Sequence, residues 1–123
     1  MQLLWIGFGG FFGALARHIL STWVQRWAPH AFPLGTLAVN VIGCFALGAL
    51  MAWLERGAPP SLRPALGVGF LGALTTFSTF GHETVALLRR GEALLAAASV
   101  AANVAVGLAA VWLGMALVDA LAA

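Results

Sequence analysis

Long apolar runs separated by short clusters of charge organise this chain. No charged residue precedes Arg17, and none lies between Arg26 and Glu55, between Arg63 and Glu83, or between Glu92 and Asp119. A helix rises about 1.5 Å per residue, so about 20 residues cross a hydrocarbon core about 30 Å thick. Each gap is long enough, the first by running on through Arg17 to about Trp23. The pattern predicts four transmembrane helices at about 3–24, 33–54, 62–88 and 93–118, forming a single domain over residues 1–123. The connections carry turn chemistry: Pro29 and Pro33 bracket the first, Gly57-Ala58-Pro59-Pro60-Ser61 makes the second and Arg89-Arg90-Gly91-Glu92 the third. Trp5, Trp23, Trp27 and Trp53 fall near the expected helix ends, where indoles favour the headgroup region. No positive residue precedes the first apolar run, so no cleaved signal peptide is expected.

Composition makes the bilayer the main solvent. Of 123 residues, 62% are hydrophobic and 8% charged, where a soluble domain carries roughly a quarter charged residues. That excludes a soluble enzyme and a secreted disulfide scaffold, Cys44 having no second cysteine in the chain. The pI of about 10.1 comes from a net charge of +2 spread over separate loops, which makes no basic patch and excludes nucleic acid as a partner. Loops one and three carry Arg26, Arg89 and Arg90, with Arg17 close by, against Arg56 and Arg63 in loop two. So small a bias under the positive-inside rule fits insertion both ways up and antiparallel pairing, or a single topology with loops one and three cytoplasmic.

Small residues mark places where helix backbones approach one another: Gly9 and Gly13, Gly43 and Gly48, Gly107 and Gly114. Four short helices pack with side chains filling their centre, so these spacings favour homo-oligomerisation over a pathway through one copy. The run Gly7-Phe8-Gly9-Gly10-Phe11-Phe12-Gly13 only superficially resembles a dinucleotide-binding turn. Its spacing departs from G-x-G-x-x-G, no acidic residue follows about 20 positions on, and no strand–helix alternation surrounds it.

Polar residues at membrane depth are the functional candidates. Thr36, Asn40 and Cys44 recur every four residues on helix two, and Ser99, Asn103 and Gly107 do so on helix four. Each asparagine is either interhelical hydrogen-bonding glue or part of a shared polar route. The segment Gly72-Ala73-Leu74-Thr75-Thr76-Phe77-Ser78-Thr79-Phe80-Gly81 is poor helix sequence, rich in hydroxyls and β-branched threonines, and predicts a break in helix three at mid-membrane. Non-helical backbone at that depth serves ion sites, carbonyls facing cations and N–H groups facing anions. Phe77 and Phe80 lie three apart, and ring edges suit an anion. Glu83, one turn later, lines the end of a path. Arg17 draws anions into a vestibule or snorkels to the headgroups. His18, His30 and His82 have no metal-binding spacing.

The chain also resembles, over its full length, the small fluoride channels called Fluc or CrcB. The resemblance rests on Gly9-Gly10-x-x-Gly13-Ala14-x-x-Arg17, on Pro33-Leu34-Gly35-Thr36-Leu37-x-x-Asn40-x-x-Gly43, and on Gly69-Phe70-x-Gly72-x-Leu74-Thr75-Thr76-Phe77-Ser78-Thr79-Phe80 followed by Glu83. It implies an all-α, antiparallel, dual-topology homodimer in a bacterial inner membrane, with two pores along the subunit interface. On this resemblance Asn40 is the pore asparagine, Phe77 and Phe80 the phenylalanine box, Thr79 the hydroxyl beside the pore and Glu83 the acid near its end. The backbone carbonyls of Gly72 and Thr75 from both subunits would hold a central structural Na⁺. The polar track would fall on Ser99, Asn103 and Gly107, where family members often carry a tyrosine and serines; this chain has no tyrosine, and Ala73 replaces a usual glycine.

Fluoride is small and strongly hydrated, so a pore must replace its water with good donors: the Asn40 and Asn103 amides, the Ser99 and Thr79 hydroxyls, and phenylalanine edges. No acid lies at the centre of a helix to couple protons, which favours passive flow of fluoride out of the cell without covalent chemistry. A small multidrug exporter would need a buried acid in helix one, which is lacking. A non-transporting scaffold subunit would explain the glycines but not the polar segment of helix three.

Overall fold

A computed structural model describes residues 1–28 and 31–123; Pro29 and His30, assigned above to the first loop, lie outside the described residues. The described residues contain helices and no strand. Helix α1 spans Gln2–Gln25 and α2 spans Leu34–Glu55. Helix α3 begins with π-type hydrogen bonding over Arg63–Leu71 and finishes as α-helix over Gly72–Leu74. After two extended residues, α4 runs over Phe77–Arg89, and α5 over Ala93–Leu121 with a π-helical turn at Ala102–Val106. Helices α1, α2 and α5 are each long and apolar enough to cross a membrane. Helices α3 and α4 are too short to cross alone, because the chain between them is not helical.

Two close helix pairings build the bundle, and glycines make both possible. Helix α1 lies along α3: a Cβ at Gly9 would overlap the Ala65 carbonyl, and one at Gly13 the Phe70 carbonyl. Helix α2 packs along the second half of α5, with Gly48 against the Val111 carbonyl and Gly114 against the Phe45 carbonyl. Gly35 brings the start of α2 onto the Ser21 carbonyl of α1. In lipid, helices associate by such packing rather than by excluding water. The glycine spacings that suggested contact between copies are therefore occupied by contacts inside the chain. Val39, Leu50, Leu71 and Leu74 fill the core where the pairs meet. Leu3, Phe8, Phe11, Leu108 and Trp112 point outward, as expected where the surroundings are acyl chains.

Two helix ends are fixed by glycine. Gly57 and Gly91 adopt φ of 99° and 77°, a left-handed backbone open to them because they lack a Cβ. At α4 the Gly91 N–H donates to the Leu88 carbonyl and the Glu92 N–H to the Leu87 carbonyl. At α2 the Gly57 and Ala58 N–H groups cap the Leu54 and Trp53 carbonyls in the same way. Arg56 then reaches Asp119 at 2.9 Å, tying the end of α2 to the end of α5.

Candidate functional site

The break between α3 and α4 is at Thr75 and Thr76, inside the expected segment. Thr75 has φ −81°, ψ 155°, and Thr76 has φ −148°, ψ 122°, both extended. Two β-branched residues in sequence favour that conformation. Extended backbone turns the N–H and C=O of one residue to the same side, as along a sheet edge, and in the membrane both need partners. Asn40 supplies them. Its Oδ1 accepts from the Thr76 N–H at 2.8 Å, and its Nδ2–H donates to the Thr76 carbonyl at 3.1 Å. A second Nδ2–H donates to Asn103 Oδ1 at 2.9 Å, and Asn103 Nδ2–H in turn donates to the Ser99 carbonyl at 2.9 Å. The π-helical turn of α5 contains Asn103, so the two asparagines proposed as a shared route do meet, at the break.

The approach of the break to α2 depends on Gly43, one turn after Asn40. A Cβ there would overlap the Thr75 methyl group, whose hydroxyl is tethered to the Leu71 carbonyl at 3.1 Å. Since the Thr76 N–H is taken by Asn40, the Gly72 carbonyl four residues earlier loses the donor that a continuous helix would offer. Beyond the break, the Thr76 hydroxyl caps α4 by accepting from the Thr79 N–H at 3.2 Å, and it donates to Thr79 Oγ1 at 3.1 Å. The Phe77 and Phe80 rings lie 5.6 Å apart between centroids. Phe77 is 82% exposed on the surface of this single chain.

Open cavities flank the break. One of about 320 Å³ is lined by Asn40, Gly72, Thr75, Phe77, Phe80 and Asn103, among others. On the opposite side of Thr76, a cavity of about 260 Å³ is bordered by Arg17, His18, Ser21, Thr36 and Thr79. Ser21, Thr36 and Thr79 also border a larger one of about 630 Å³ that carries Arg26, Arg90, His82 and Glu83. Among the described residues Arg17 and Arg26 outnumber the Glu83 carboxylate along this course, Arg90 being paired with Glu92 at 3.3 Å, which favours anions. Glu83 is held by Thr36, whose hydroxyl donates to Oε1 at 2.9 Å; the other carboxylate oxygen, Oε2, is buried without a partner among the described residues.

Asn40, Asn103, Phe77 and Phe80 thus converge on one cavity, while Arg17, Thr79 and Glu83 border the course on the other side of Thr76. Ser99 stands apart. It is 0% exposed and its hydroxyl has no hydrogen-bond partner among the described residues, so within one copy only its backbone carbonyl joins the amide chain. The stripe that contains Thr36 gives no hint of its pairing with Glu83. An acid on one helix and a buried hydroxyl on another give no spacing signal when 47 residues separate them.

A lipid-facing bundle with an interrupted helix, its freed backbone held by side-chain amides at membrane depth, defines a small multi-pass membrane protein. Residues 4–115 match the family described as CrcB-like protein, Camphor Resistance (CrcB), and the chain belongs to that family. It is 47% identical over 116 residues to the fluoride-specific ion channel FluC of Geotalea daltonii, covering 93% of this chain and 94% of that protein. It is 46% identical over 121 residues to the protein of the same name from Geotalea uraniireducens, covering 97% and 98%. The like-named protein of Rhizobium johnstonii is 42% identical over 124 residues, with 99% of each covered.

Proposed function

We propose that this protein is a fluoride-selective passive channel, acting as an antiparallel homodimer with two pores at the subunit interface. Membership of the family and the names of its relatives support the substrate. The observation that carries the architecture is the uncovered cleft at the break. A cavity bearing the Asn103 amide, freed carbonyls and an outward-facing Phe77 would meet lipid in a single copy, and lipid satisfies no polar group. A second copy closes the cleft into a conduit. Helices α3 and α4 in tandem then make the fourth crossing.

In this reading Arg17 and Arg26 concentrate anions at the polar cavities. The ion sheds water against the Thr79 hydroxyl, whose proton is uncommitted, and passes Asn40 and Asn103 and the edges of Phe77 and Phe80. Ser99 joins the lining only if its orphaned hydroxyl is turned towards the conduit in the dimer. Closely placed donors in a narrow lumen favour fluoride over chloride, since the smaller ion gains more from short contacts. Glu83 is held by Thr36 away from the break, and the flow is downhill and outward. The residues at the break also fit a structural Na⁺. The Gly72 carbonyl lacks its helical donor and sits at the negative end of α3, with the extended Thr75 carbonyl following. Hard oxygens of this kind, contributed by both copies, would hold the ion and fasten the subunits.

Vesicles loaded with fluoride and containing the purified protein test the reading. With potassium fluoride inside and an ionophore added to carry the balancing K⁺, a fluoride electrode should record release at once, while vesicles loaded with potassium chloride under the same conditions retain their contents. Cysteines placed singly in the loops of a Cys44→Ala background should label from both faces if both orientations coexist, and from one face if the topology is fixed.

A further inference from the structure

Charge is divided unevenly between the two ends of the bundle. The end of α1, the start of α2 and the end of α4 meet around one cavity, and this end of the chain carries Arg17, Arg26, Arg89 and Arg90 against Glu83 and Glu92. The opposite end, where α2 and α5 finish and α3 begins, carries Arg56 and Arg63 against Glu55 and Asp119. The formal net charge of +2 therefore sits at one end. Pairing sharpens the contrast. Arg56 is tied to Asp119 at 2.9 Å, Arg90 to Glu92 at 3.3 Å, and the Thr36 hydroxyl holds Glu83. Among the described residues neither Arg26 nor Arg89 has a carboxylate partner.

Arg26 caps the end of α1 and is exposed. It follows Phe8 by about five helical turns, so it continues the outward-facing stripe that Phe8, Ile19 and Trp23 form on α1. Two exposed indoles flank it, Trp23 and Trp27, meeting edge to face with ring centroids 6.4 Å apart. An apolar stripe that finishes on indoles and an unpaired guanidinium follows the order of a phospholipid: acyl chain, glycerol, phosphate. The planar fork of arginine can meet two phosphate oxygens at once.

We propose that this end of the chain is a docking surface for anionic phospholipid, with Arg26 holding the phosphate, Trp23 and Trp27 at glycerol depth, and Arg89 adding to the field. The proposal concerns the outer surface and does not rest on the channel reading. The positive-inside rule accounts for an excess of arginine on one side, but it asks for no arginine to lack a carboxylate or to stand between indoles. A zwitterionic lipid brings an ammonium group along with its phosphate, so an end of charge +2 separates the two lipid classes and a neutral end does not. With five N–H donors, Arg26 serves the phosphate on its outer side and still borders the cavity of about 630 Å³ on its inner side. If two copies lie antiparallel, each leaflet meets one such end.

Quenching by brominated acyl chains reads which lipid lies against an indole. Replacing the exposed Trp5, Trp53 and Trp112 by phenylalanine leaves Trp23 and Trp27 as reporters. Vesicles hold equal amounts of phosphatidylglycerol and phosphatidylcholine, with bromine on one lipid or on the other. Phosphatidylglycerol should be enriched about 5-fold beside the reporters at low salt. The enrichment should fall towards parity in about 1 M salt, where the Debye length shrinks to about 3 Å. Arg26→Gln should bring it close to parity at low salt as well. A second reporter protein that keeps only Trp5 and Trp53, at the opposite end, should show parity. Parity at Trp23 and Trp27, equal enrichment at the two ends, or enrichment that survives Arg26→Gln overturns the proposal. Should a reporter protein fail to fold, native mass spectrometry of the wild type and Arg26→Gln, released from micelles holding both lipids, decides instead. The wild type should retain more phosphatidylglycerol than the variant; equal retention by the two proteins overturns the proposal.

Discussion

Gly43→Ala is the substitution whose outcome the break geometry fixes most tightly. In the middle of α2 an alanine should gain up to about 1 kcal/mol over glycine from helix propensity alone. The new methyl, however, would overlap the Thr75 side-chain methyl, whose rotation is restrained by the hydroxyl bond to the Leu71 carbonyl. Pushing Thr75 aside also strains the adjacent Asn40–Thr76 pairing, and overpacking of this kind costs about 1–3 kcal/mol. The steric term should win, giving a net loss of about 1–2 kcal/mol. Thr75→Ser removes the offending methyl and keeps the hydroxyl and backbone, at about 0.8 kcal/mol for the lost group. Combined with Gly43→Ala it should restore stability, with a favourable coupling of about 1–3 kcal/mol across the double-mutant cycle. Reversible unfolding in mixed micelles, followed by tryptophan fluorescence, measures all four proteins. A Gly43→Ala protein as stable as wild type, or no rescue by Thr75→Ser, would refute the claim that the break is packed onto α2 at this point.

Two further substitutions probe the polar course and the frame. Thr36→Val leaves the Glu83 carboxylate with neither oxygen bonded; it should slow fluoride release about 10-fold or more and lower stability by about 1.5–3 kcal/mol, read by vesicle release and micelle unfolding. Arg56→Ala breaks a pair whose side chains are 43% and 57% exposed, so unfolding should show a loss below about 1 kcal/mol that fades in high salt.

The helices were legible because hydrocarbon tolerates so few charges that Arg26, Glu55, Arg63 and Glu92 fall at helix ends. The break was legible for a related reason, since Thr75 and Thr76 combine β-branching with hydroxyls at a depth where neither helps a helix. Direction was not legible. Gly9 and Gly13 announce a close contact, but spacing does not say with which helix, and the partner is α3 of the same chain. Nothing in Ala102-Asn103-Val104-Ala105-Val106 signals a π-helical turn, because propensity concerns residues one at a time whereas the turn depends on how α5 meets its neighbours. A stripe places Ser99 four residues from Asn103 but says nothing of what packs on it. Its complete burial follows from packing among helices, which a single-helix pattern does not contain.

The most direct measurement is the reversal potential of the reconstituted protein in a planar bilayer with fluoride on one side and chloride on the other. A passive, fluoride-selective pore should carry a steady current that reverses far from zero, on the side set by the fluoride gradient. A reversal near zero, showing that chloride crosses equally well, or a silent bilayer containing folded protein, would contradict the account.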